Sequence, residues 1–88
     1  MKEKMLQYLK EICSSDSVLR AAQNVSEKDA ARLMAIFKDW DLNDCVIFYL
    51  CKTPNAINRI EQDLKLKGEI SPSFEDLIFK ASYKLGYC

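Results

Sequence analysis

The stretch Asn43-Asp44-Cys45-Val46-Ile47-Phe48-Tyr49-Leu50-Cys51-Lys52-Thr53-Pro54 decides the fold. From Cys45 to Cys51 every residue is apolar or aromatic. A run this short suits either a central helix or a buried strand, and its own periodicity does not separate the two. Its surroundings do. Asn43 can cap a helix that carries Val46, Ile47 and Leu50, and no partner strand is visible elsewhere. The stretch therefore predicts a central helix, the fourth of the chain.

Downstream, Thr53-Pro54 is a start signal: a capping hydroxyl, then proline at the first helical position. A fifth helix follows with Ile57, Ile60 and Leu64 inward. Glu61/Lys65 and Asp63/Lys67 stand as i, i+4 pairs on its solvent side, acid before base. Gly68 ends it as a left-handed cap. Ser71-Pro72 repeats the start signal, and a sixth helix carries Phe74, Leu77, Ile78, Ala81 and Leu85 to its close at Gly86.

Upstream, Met5, Leu6, Leu9, Ile12 and Cys13 form one apolar face of a first helix over residues 3–13. Ser14-Ser15-Asp16 breaks it and caps a short second helix with Val18, Leu19 and Ala22. Ser26 opens Ser-Glu-Lys-Asp, a capping-box variant, and a third helix follows with Ala30, Leu33, Met34 and Phe37 on one stripe and Trp40 at its end. Two glycines and two prolines in 88 residues fit short helix connections and disfavour a turn-rich β protein. The expected fold is all-α: a small orthogonal bundle of five or six short helices in a single domain over residues 1–88. Each helix is too short to be stable alone, so packing must supply the stability.

Thirteen basic residues balance thirteen acidic ones, which argues against a generally basic nucleic-acid coat and an acidic disordered tail. The absence of histidine removes Ser-His and Cys-His catalysis and any His-ligated metal site. The four cysteines, Cys13, Cys45, Cys51 and Cys88, form no C-x-x-C pair, so their spacing argues against zinc. Cys13, Cys45 and Cys51 read as small buried hydrophobes and Cys88 as an exposed terminal thiol. Asp39-x-Asp41-x-Asn43 opens like a calcium loop, but Asp44 stands where glycine is required and Leu50 where the bidentate Glu belongs. Helix-end capping suits these residues better. No glycine-rich phosphate loop is present. The expectation is a non-enzymatic protein with no metal and no cofactor, without a transmembrane segment or signal peptide, in a reducing cytoplasm.

The outward face of the fifth helix presents Asn55, Asn58, Arg59 and Gln62. Arginine can fork onto guanine, and asparagine or glutamine onto adenine. Lys52, Thr53, Lys65 and Lys67 are placed to contact phosphates. Thr53, Ile57, Asn58-Arg59, Leu64, Gly68 and Ile70 also follow a known spacing. Residues 33–71 thereby resemble the helix-turn-helix region of winged-helix-type bacterial transcriptional regulators, with residues 53–67 as recognition helix. The resemblance implies a DNA partner. The same residues 33–71 hold five bases against six acids, a balance that a protein-binding surface shares.

Phe79, Tyr83 and Tyr87 recur at i, i+4 and i+8 and form a second stripe on the sixth helix, a candidate protein interface. Residues 57–87 resemble the tail of class II bacteriocin immunity proteins, through Gly68, Ile70-Ser71 and Leu85-Gly86-Tyr87. That resemblance implies a bacteriocin-receptor complex as partner. A phage-encoded inhibitor of a bacterial complex would use the same stripe, and a homodimer through it would suit a two-fold DNA reader. The leading expectation is a small helix-turn-helix-like DNA-binding regulator; the alternative is a protein-binding module acting through the aromatic sixth helix.

Overall fold

A computed structural model of the chain describes residues 1–13 and 15–87. Six α-helices and one turn of 3₁₀ helix lie among them: α1 (Lys2–Ile12), α2 (Asp16–Ala22), α3 (Glu27–Asp39), α4 (Asp44–Lys52), the 3₁₀ turn (Pro54–Ala56), α5 (Ile57–Lys67) and α6 (Pro72–Leu85). The protein is a small all-α bundle. The part Ser14 plays in capping α2 and the exposure of Cys88 lie outside the described residues.

α4 is the axis. It packs against α2 and α6, while α1 lies on α2 and α3, and α3 touches α5. Burial on several sides explains the unbroken apolar run. Val46, Ile47, Phe48, Tyr49, Leu50 and Cys51 are all buried. Val46, Ile47, Phe48 and Leu50 each contribute about 1.5–3 kcal/mol by leaving water. A strand would have turned alternate residues to opposite faces with no neighbour to pair them.

The local start and stop signals act as their chemistry requires. Asn43 Oδ1 accepts from the Val46 amide at 3.0 Å, and Ser26 Oγ accepts from the Asp29 amide at 3.2 Å. Each satisfies a donor that the first helical turn leaves without a partner. Gly68 (φ 71°) and Gly86 (φ 99°) close α5 and α6 in the left-handed region, where a side chain would be strained.

Other expectations are corrected. Thr53 makes no capping bond; the chain first turns through Pro54–Ala56, and α5 starts at Ile57. Ser71 also makes no side-chain cap on α6. Its amide instead donates to Asp63 Oδ2 at 3.2 Å, which ties the α5–α6 connection back onto α5. The i, i+4 pairs of α5 do not close. Glu61 reaches across to Arg32 on α3, and Asp63 is held by Ser71. Arg32 and Ser71 are half-buried whereas Lys65 and Lys67 are exposed, and a polar contact is stronger where water is partly excluded.

Ile12, Leu77 and Leu85 are exposed, although their periodicity placed them inward. Leu77 stands about 100° around α6 from the buried Ile78. Leu85 falls in the last turn, over a groove lined by Ser17, Arg20, Phe48 and Lys52. Ile12 ends α1 beside an open cleft described below. Ser82 takes the inward place instead: it is buried, and its hydroxyl donates to the Cys45 carbonyl of α4 at 3.4 Å.

Candidate functional site

Two surfaces hold the residues that the sequence singles out. The first is the end of α4, the 3₁₀ turn and the outer side of α5. Lys52, Asn55, Asn58, Arg59 and Gln62 are exposed there, and Thr53 is half-buried. Asn58 and Arg59 have partners within the fold. The Arg32 guanidinium of α3 donates to Asn58 Oδ1 and to Glu61 Oε1. The Arg59 guanidinium carbon lies 4.2 Å from the centre of the Phe74 ring of α6, a cation–π contact worth about 0.5–1 kcal/mol at an exposed site. Lys52 Nζ stands 6.0 Å from the centre of the Phe48 ring. Residues suited to base edges thus also fasten α5 to α3 and α6. Glu61 and Asp63 place two carboxylates on the same helix.

The second surface is the side of α6 that carries Phe79, Tyr83 and Tyr87. These three residues, with Cys45 and Ser82, line a cleft of about 190 Å³. Tyr83 is 67% exposed, whereas Phe79 and Tyr87 are half-buried. Tyr87 packs edge-on to Phe48 of α4, with ring centres 5.2 Å apart. The stripe therefore has a fixed base and a projecting ring. Ser82 braces the base through its bond to α4, and Ser17 of α2 donates to the Tyr87 carbonyl at 3.5 Å. Pre-positioned aromatic side chains lose little freedom on docking, which is why they recur as anchors in protein interfaces.

Burial favours the neutral thiol at Cys13 and Cys51. Burial, and then the hydrogen bond to Asp44 at 3.4 Å, push Cys13 from an ordinary 9.0 up to about 11. Burial pushes Cys51 up to about 12. Both side chains belong to the hydrophobic core, and a thiol whose ionisation is suppressed is a poor nucleophile. Cys13, Cys45 and Cys51 are free.

The sequence reading missed a third feature. Trp40, Asp41 and Leu42, between α3 and α4, form a ridge between two clefts. The density of acids at Asp39, Asp41 and Asp44 was a signal. The contributions of Tyr8 and Ile12 from α1, and of Glu69 and Glu75 from around α6, depend on the fold.

Comparison of the chain with protein-family models, with curated proteins and with solved structures finds no match.

Proposed function

We propose that this chain is a protein-binding helical module that docks a partner on the aromatic side of α6. The observation that carries the reading is the Tyr83 ring, projecting from a cleft whose other walls are Cys45, Phe79, Ser82 and Tyr87. A large apolar ring held out in water on a rigid base is suited to filling a pocket of a second protein. The balanced charge of the chain agrees with a partner met through apolar contact more than through phosphate neutralisation. An immunity protein or an inhibitor of a bacterial complex would belong to this class.

The α5 face supports this reading over DNA recognition. Arg59 would have to leave Phe74 to reach a guanine, and Asn58 would have to give up Arg32. Lys52, Asn55 and Gln62 remain exposed, so the helix-turn-helix reading makes its own distinct demand: salt-sensitive binding to duplex DNA that Arg59→Ala weakens.

The test runs both ways. Affinity capture from the native host with the wild-type chain is compared with Tyr83→Ala, and a fluorescent duplex pool is titrated at low salt. The proposal expects a protein partner that Tyr83→Ala loses, with helical content unchanged, and no duplex binding. Retention of the same partner by Tyr83→Ala, or duplex binding sensitive to Arg59→Ala, overturns it.

A further inference from the structure

We infer that the paired clefts on either side of Trp40 form a docking groove for a basic segment of a partner polypeptide, with one cationic side chain seated in each cleft. The first cleft, about 360 Å³, lies between the end of α1 and the segment joining α3 to α4. Tyr8, Ile12, Phe37, Trp40, Leu42 and Ile47 supply its apolar and aromatic lining, and charged side chains supply the rest. The second, about 270 Å³, opens on the other side of the ridge towards Val46, Leu64 and Ile70. Trp40, Asp41 and Leu42 belong to both.

Two independent features define the occupant. One is apolar surface left in water. Ile12 continues the inward stripe of α1 and yet is 46% exposed, while Trp40 and Leu42 are only half-buried. Ile12, Trp40 and Leu42 line the same cleft, so their open surface is contiguous there. The other feature is charge. Asp39, Asp41, Asp44, Glu69 and Glu75 line the two clefts, against the single base Lys38. The whole chain is balanced, so this excess is local. Concave walls of low dielectric focus the field of such a rim. Lysine and arginine match both features, because an aliphatic stem lies along apolar walls while the charged head meets the rim. The tryptophan ridge adds a ring against which a cation can stack.

The groove shares no lining residue with the aromatic cleft of α6, so this proposal stands or falls apart from the function proposed above.

Trp40 is the only tryptophan, so its fluorescence reports from the ridge itself. The probe is a short unstructured peptide with two arginines three residues apart, compared with the same peptide carrying citrulline at both places. The expected result is a saturable change in Trp40 emission with the arginine peptide, weakened as salt is raised, and none with the citrulline peptide. The variant Asp41→Asn with Glu69→Gln weakens binding by about tenfold. Both positions are exposed, and amide chemical shifts of the variant verify that the fold is kept. No response to the arginine peptide, equal binding of the citrulline peptide, or unchanged binding by the double variant overturns the proposal. So does a chemical-shift footprint centred on Tyr83 in place of Trp40.

Discussion

α4 and α5 are neighbours in sequence and opposites in exposure. α4 buries every residue from Val46 to Cys51. α5 buries only Ile57, Ile60 and Leu64, and leaves Leu66 82% exposed. Both are well-marked helices, with an asparagine cap at the start of one and a glycine at the end of the other. What separates them is where their side chains find partners. α4 is held on several sides by packing, whereas α5 is held along one side by packing and at its edges by Arg32, Phe74 and Ser71. A polar residue on such a helix is therefore not spare merely because it faces outward. Arg59 and Asn58 show this most clearly.

If α4 is the structural axis, its truncation should be the most damaging change. Leu50→Ala removes a fully buried side chain and should cost about 2–5 kcal/mol in urea unfolding. A loss below about 1 kcal/mol would show that α4 is not the axis of the core.

The thiols give a second probe of the same core. Their ionisation is suppressed in the folded protein, so their contribution is complete below pH 9.0, the ordinary thiol value. It is lost as pH rises from there towards about 11 for Cys13 and about 12 for Cys51, because the unfolded chain gains charge first. Denaturation midpoints measured from pH 8 to 10.5 should fall more steeply for the wild type than for Cys51→Ala. Equal slopes would mean that Cys51 is not buried as α4 places it.

Smaller effects belong to the caps. Asn43→Ala should cost about 1 kcal/mol by releasing the Val46 amide. Gly68→Ala should cost about 1–2 kcal/mol, entirely from its left-handed backbone, since no atom stands within 4 Å of an added methyl group. Smallest of all, Leu66→Ala on the open side of α5 should stay within about 0.5 kcal/mol. A larger loss from Leu66 than from Leu50 would reverse the contrast between the two helices.

The residues that were legible in the sequence are those whose job is local. Asn43, Ser26, Gly68 and Gly86 act within one turn of helix, so their roles follow from their immediate neighbours. The apolar stripes of α3 and α5 were legible for the same reason: periodicity identifies a face. Periodicity does not say where the neighbouring helix stops. That is why Ile12 and Leu85, at the ends of their helices, stay in water while Ser82 is enclosed. It also does not choose between competing partners. Glu61 could pair with Lys65 one turn away, and pairs with Arg32 on another helix. At the candidate sites, the i, i+4, i+8 aromatic stripe was visible in sequence, but its standing on Phe48 of α4 was not. The clefts beside Trp40 draw on α1, α3, α4, α5 and α6, and only packing assembles them.

The proposed function seats a partner on the aromatic side of α6 and none on the outer side of α5. The most direct measurement places a photo-crosslinking benzoylphenylalanine at position 83 in one version of the chain and at position 62 in another, each irradiated in the native host. A partner docked on α6 gives a discrete protein adduct from position 83 and no specific adduct from position 62. Nucleic-acid adducts from position 62, with none from position 83, would contradict that docking.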